Sequence, residues 1–304
     1  MTETSSFLIN YLLFFGLDRE PFLIPPDREV FYPSPGHRGA EGALRFGLDQ
    51  GEGFMILTGE VGTGKTLLLR RLLAGLPQRY ETALILSPNL TPQELLPAIL
   101  HDLGLTPAIE PNTGIGMDRL LRQLNDHLAE LADQGRRLVV VIDEAQNLPL
   151  ESMEQLRLLS NFESDTNKLI QIILVGQPEL RERLNRNELR QLRQRIAVVE
   201  QLQPLATEEI ILYVDTRLSW AGGTRLEISR PALTLLQRYS QGIPRLINKA
   251  FSRALLIAYS QQSLTITHAI LQESIASLDE ADFPWENKLP TLIPDPQPLT
   301  SGLL

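Results

Sequence analysis

Gly59-Glu60-Val61-Gly62-Thr63-Gly64-Lys65-Thr66 satisfies the pattern G-x-x-x-x-G-K-[ST] in full. It lies between an apolar run, Phe54 to Thr58, and an amphipathic stretch through Leu67-Leu68-Leu69 to Leu76. Glycines let successive backbone N–H groups turn inward around phosphate oxygens, and a helix starting there adds its positive end. In that setting Lys65 reaches the β- and γ-phosphates of a nucleotide and the Thr66 hydroxyl holds Mg²⁺. The loop therefore requires a strand, a tight turn and a helix in that order.

The rest of the first two thirds follows the same rhythm. Ala83 to Leu86, Leu138 to Ile142 and Leu169 to Val175 are short apolar runs without polar alternation. They alternate with helical patterns at Thr91 onward, Asp118 to about Gln134, and Glu151 to Phe162. Thr91-Pro92-Gln93-Glu94 carries a cap, a proline at the first helical position and a glutamate three residues after the cap. Strands of this kind form a parallel sheet covered on both faces, an α/β core over residues 37–204.

Beyond Gln203-Pro204-Leu205 the strand runs cease, and four helical stretches (Thr207 to Ala221, Ser229 to Ser240, Ile243 to Ser260, Thr267 to Leu278) predict an all-helical lid over residues 205–279. Residues 1–36 interleave aromatics with prolines, which forbids a long helix. They read as an arm packing on the core, either as a plain strap or as a support for an adenine base. Residues 280–304, with five prolines and few periodic apolar positions, read as a flexible tail.

Leu138-Val139-Val140-Val141-Ile142 ends in Asp143-Glu144. Carboxylates at the end of a buried strand, in the same sheet as the phosphate loop, are placed to meet Mg²⁺ (Asp143, directly or through water). Glu144 is then placed to act on the attacking water as a general base or an orienting acceptor.

Composition narrows the alternatives. The chain has no cysteine, which excludes disulfides, thiolate metal sites and cysteine nucleophiles and fits a cytoplasmic location. His37, His101, His127 and His268 share no metal-binding spacing. No run of about 18 apolar residues predicts a membrane span, and no basic residue precedes the short apolar run near the N-terminus, so neither direct membrane insertion nor a secretory signal is expected. The net charge of −9 disfavours a uniformly basic nucleic-acid surface.

The phosphate loop, Asp143-Glu144-Ala145-Gln146, a later strand ending in a polar residue and the helical C-terminal unit together resemble an AAA+ ATPase. More narrowly, Phe14-Phe15-Gly16-Leu17, Phe31-Tyr32-Pro33-Ser34, Gly51-Glu52-Gly53-Phe54 and Val175-Gly176-Gln177-Pro178-Glu179-Leu180 resemble the general secretion pathway protein A family (ExeA/MshM-like) over about residues 10–278. The resemblance implies ATP and Mg²⁺ as ligands and a homo-oligomeric ring or filament. It also implies a protein partner in a secretion or type IV pilus-like machine, through which the chain would be peripheral to the inner membrane. It assigns Gln177 to the sensor-1 position, Arg245 to sensor 2 at the start of a lid helix, and Arg195 to the arginine finger, with Arg190 and Arg193 as close competitors. It sets His37-Arg38 near the base. Transposition-regulator ATPases (TniB/TnsC-like), which assemble on DNA, are the alternative the same core allows.

Overall fold

The computed structural model describes residues 11–23, 31–86, 89–105, 116–162, 168–223 and 226–281. The first ten residues and nearly all of the proline-rich tail lie outside that set.

Helix α1 (Pro35–Gln50) begins where Ser34 caps it: the Ser34 hydroxyl accepts from the His37 N–H at 3.2 Å, and Pro35 occupies the first turn. It ends at Gly51, whose φ of 78° supplies the left-handed cap. Strand β1 (Phe54–Gly59) runs into the glycine loop, and α2 (Lys65–Ala74) leaves it. Then come β2 (Tyr80–Ile85), α3 (Pro92–Asp102), α4 (Met117–Asp133), β3 (Arg137–Ile142), α5 (Leu150–Leu159) and β4 (Ile170–Gly176). At the start of α3 the Glu94 carboxylate accepts from the Thr91 N–H at 2.9 Å, the reciprocal cap its sequence predicts. Two short helices, α6 (Glu179–Leu184) and α7 (Arg190–Arg193), lead to β5 (Ile196–Leu202).

The five strands pair in the order β2-β3-β4-β1-β5, all parallel. Alternate residues feed opposite faces. Phe54, Ile56, Val140, Ile142, Ile172 and Leu174 join one cluster with α3, α4 and α5, while Met55, Leu57, Val139, Val141, Ile173 and Val175 join another with α1 and α2. Burial on both faces is why the central strands carry no polar alternation. Strand β5 differs. It is an edge strand with only β1 beside it, its exposure alternates, and its sequence Ile-Ala-Val-Val-Glu-Gln-Leu does not read as a buried run.

The C-terminal unit comprises α8 (Thr207–Trp220), α9 (Arg230–Ser240), α10 (Pro244–Ser260) and α11 (His268–Ala281). It is helical apart from a minimal parallel pairing of β6 (Glu227–Ile228) with β7 (Thr265–Ile266).

The arm corrects one expectation. Tyr11, Phe15, Leu17 and Phe22 are buried in the core of the helical unit, not in the sheet core. Phe22 stacks on Phe251 of α10 at 4.9 Å between centroids, and Tyr11 meets Tyr259 edge-on. The arm's aromatics therefore form part of the interior of the helical unit. At Phe31 the arm reaches the core: its ring lies 4.8 Å from the Arg71 guanidinium and edge-on to His37.

Candidate active site

Parallel strands leave their functional residues at the C-terminal edge of the sheet. Register places Thr58 beside Gly176 and Ile142 beside Leu174, so the turns after β1, β3 and β4 emerge together. Gly59 to Thr66 follow β1, Asp143 and Glu144 follow β3, and Gln177 follows β4.

Within the loop, Gly62 (φ 85°) and Gly64 (φ 102°) take conformations that L side chains rarely adopt. Each is also crowded: a Cβ on Gly62 would lie 2.6 Å from Arg245 Cβ, and one on Gly64 would lie 2.9 Å from His37 Nε2. The loop is therefore pressed between the lid and α1. The Lys65 ammonium is buried and donates to the carbonyls of Gly59 at 2.7 Å and Glu60 at 3.0 Å. Burial lowers its pKa from the ordinary lysine value, while the carboxylates of Glu144, Asp143, Glu60 and Glu179 pull the other way.

The Thr66 hydroxyl donates to Asp143 Oδ2 at 2.7 Å. A hydroxyl and a carboxylate converging beside a glycine loop form the oxygen-rich donor set that suits a small hard cation, so these residues fit Mg²⁺. Glu144 has φ 54°, rare for a non-glycine residue, and its N–H donates to Asp143 Oδ1 at 2.9 Å. Holding it there costs about 1–3 kcal/mol, which the neighbouring hydrogen bonds must offset. Its carboxylate accepts from Gln146 Nε2 at 2.6 Å and Gln177 Nε2 at 3.3 Å. Gln146 in turn accepts from the Gln177 N–H at 3.1 Å. The two glutamines thus aim one carboxylate oxygen. Gln146 carries no role in the sequence reading, although it stands in the same Asp143-Glu144-Ala145-Gln146 run.

Arg245 starts α10, and its N–H donates to the Gly62 carbonyl at 3.3 Å, so the lid rests on the loop itself. His37 is buried; its Nδ1 pairs with the Ser34 hydroxyl at 2.7 Å and its Nε2 with the Thr63 carbonyl at 3.2 Å. Burial lowers its pKa below the usual histidine value, so it is neutral at pH 7. Its position braces the loop from behind.

The arginine segment lies elsewhere. Arg195 precedes Ile196, which pairs with Phe54 at the start of β1, whereas Gly59 is at the end of that strand. The separation is about 20 Å at the rise of a strand. Arg195 is also tied within its own chain: its Nη1 donates to Ser160 Oγ at 2.9 Å, to the Arg157 carbonyl at 3.3 Å and to Asn161 Oδ1. Arg193 donates to Asn185, and Arg190 is exposed, its side chain without a hydrogen bond or ion pair among the described residues.

Core, lid and arm line a cavity of about 490 Å³ whose walls include Gly62 to Thr66, Glu144, Leu23, Tyr213, Arg217 and Asn248. A parallel core closed by a helical unit over its glycine loop is the architecture of the AAA+ P-loop ATPases, and the chain has that fold. Residues 48–184 match the family described as an AAA domain. Over 258 residues the chain is 44% identical to general secretion pathway protein A of Aeromonas hydrophila, covering 85% of this chain and 46% of that protein. Within the AAA+ fold the chain is similar to general secretion pathway protein A, and it spans about half the length of that curated relative.

Solved structures share the fold at low identity. They include Cdc6p from Pyrobaculum aerophilum (TM-score 0.64, 20% identity, 83% of this chain and 71% of that one). The Aeropyrum pernix ORC2 protein in ADPNP–ADP complexes aligns at TM-score 0.61 and 18% identity, over 85% of this chain and 71% of that one. The Thermotoga maritima RuvB Holliday junction branch migration motor aligns at 0.54 and 19%, over 84% and 73%. Among the described residues no helix is long and apolar enough to cross a membrane.

Proposed function

We propose that the chain binds ATP with Mg²⁺ in this cleft and hydrolyses it at sites completed by a neighbouring copy, driving assembly of a secretion or type IV pilus-like system. The observation that carries the chemical part is the Glu144 carboxylate, held by Gln146 and Gln177 at the sheet edge beside the Thr66–Asp143 pair. Thr66 and Asp143 would hold Mg²⁺, which when bound supplies positive charge to the phosphate oxygens. Lys65 and the loop N–H groups orient the phosphates, and Glu144 accepts the proton of the attacking water while Gln177 orders it. Arg245 couples lid position to the phosphates. The secretion assignment draws on the relative from Aeromonas hydrophila.

Arg195 is the proposed finger, reaching a neighbour's cleft because its end of β5 faces away from its own. To do so it must exchange its bonds to Ser160 and Asn161, whereas Arg190 has no such bonds to give up among the described residues. Subunit mixing tests this. Arg195→Ala and Lys65→Ala proteins should each be nearly inactive, and their mixture should regain part of the activity, because one supplies the intact loop and the other the intact finger. Undiminished turnover by Arg195→Ala would discard the role, and the same pair of measurements on Arg190→Ala decides whether the finger is that residue. Sedimentation with duplex DNA tests the machine: ATP-dependent binding that grows with DNA length would replace the secretion reading with the DNA-associated one.

Gly62→Ala should weaken ATP binding by about tenfold in a calorimetric titration, since a left-handed alanine costs about 1–2 kcal/mol before its clash with Arg245 is counted. Unchanged affinity would mean that the lid does not press on the loop in the nucleotide-bound form.

A further inference from the structure

In the wall of the cavity, one buried cation forms no ion pair with a carboxylate among the described residues. Arg217, on α8, is only 5% exposed. Its Nη2 donates to the Leu23 carbonyl at 3.1 Å, and its guanidinium lies 5.7 Å from the centre of the Tyr213 ring. Its Nε–H, fully shielded from solvent, has no hydrogen-bond partner among the described residues. Among those residues no carboxylate forms an ion pair with it.

The groups around it are already matched to one another. The Tyr213 hydroxyl donates to Asn248 Oδ1 at 2.8 Å, and Asn248 Nδ2 reaches the same Leu23 carbonyl at 3.5 Å. Burying a charged donor without an acceptor costs more than burying a neutral one, and such orphans mark places where something else supplies the acceptor. Arg217, Tyr213, Asn248 and Leu23 all line the cavity that contains Gly62 to Thr66.

We propose that Arg217 recognises the nucleoside half of the cleft's ligand, a small turn of its side chain bringing the now shielded Nε–H to an acceptor atom on the base or the sugar. The proposal rests on reading the cleft as an ATP site. A guanidinium offers donors only, so the partner must be a ring nitrogen or a ribose oxygen. Arg217 and Asn248 also grip the arm through Leu23, so the same side chain would report nucleoside binding to the arm and lid together.

Calorimetric titration with ATP and with inorganic tripolyphosphate separates this role from phosphate binding. Arg217→Met should weaken ATP about 10-fold to 100-fold, the usual worth of a hydrogen bond from a charged group, and leave tripolyphosphate unchanged. Equal loss for both ligands would make Arg217 a phosphate ligand and overturn the proposal, as would no loss for either. A wild-type protein that binds no ATP at all would instead overturn the reading of the cleft.

Wild-type protein titrated with deaza-ATP analogues and 2′-deoxy-ATP identifies the acceptor. One of them should bind about 10-fold more weakly than ATP, a ring analogue if the base is read and the deoxy compound if the sugar is. That penalty should vanish in Arg217→Lys, which keeps the charge and stem but has no Nε–H, and a general loosening of the arm would not abolish it. Should both Arg217 variants fail to fold by thermal melting, the analogue series on the wild type decides, and equal affinity for every analogue overturns the proposal.

Discussion

Glu144→Gln is expected to bind ATP with near wild-type affinity and to turn it over about 10²–10⁴-fold more slowly. The substitution is nearly isosteric. The carbonyl of the introduced amide can still accept from Gln146 and Gln177, which stand 2.6 Å and 3.3 Å from the present carboxylate, so the turn after β3 keeps its shape. What disappears is the capacity to take a proton. Asp143 stays within 2.7 Å of Thr66 and cannot substitute, because its Oδ1 already accepts from the Glu144 N–H and its Oδ2 from Thr66. Equilibrium binding and single-turnover hydrolysis on one preparation separate the two effects. Wild-type turnover by the variant would remove Glu144 from the chemistry and reduce the carboxylate to an anchor for the two glutamines.

A softer substitution at the same place, Gln146→Ala, isolates positioning from proton transfer, because Gln146 touches Glu144 and Gln177 but carries no basic group. Its neighbour Gly176 explains the close fit: a Cβ there would lie 2.6 Å from Gln146 Oε1.

The parts of the fold that bury both faces were readable, since Phe54-Met55-Ile56-Leu57 and Leu138 to Ile142 announce a parallel sheet through unbroken apolarity. Strand β5 escaped the same criterion because an edge strand alternates: Val199 is 49% exposed while Leu202 is buried. The arm's aromatics signalled burial but not where. Nothing local distinguishes packing on α10 from packing on the sheet, and the stack of Phe22 on Phe251 spans most of the chain's length. The loop's glycines, Thr66 and the Asp143-Glu144 pair were legible because spacing alone brings them to one sheet edge. Arg217 was not, because an arginine in a helix reads as surface charge until its burial is known. The bonds from Arg195 to Ser160 and Asn161 depend on where α5 ends relative to β5, which no motif encodes.

Lys65→Ala should abolish nucleotide binding, with affinity falling at least about 100-fold for both ATP and tripolyphosphate. The ammonium is the one cation the loop itself contributes, and it is buried at 6% exposure with donors 2.7 Å and 3.0 Å from two loop carbonyls. Phosphate oxygens would take over those donors, so their loss removes charge-assisted bonds from a site with little water to replace them. Lys65→Arg should fail almost as badly, because a planar guanidinium cannot fit a point-charge position enclosed by Gly59 and Glu60. Loss of the buried charge leaves the two carbonyls without their donor, which should lower stability by only about 1 kcal/mol. A folded Lys65→Ala protein that still bound tripolyphosphate tightly would transfer the phosphate role to Arg245. That residue's backbone already rests on Gly62, so the loop and the lid are the two places from which the phosphates can be held.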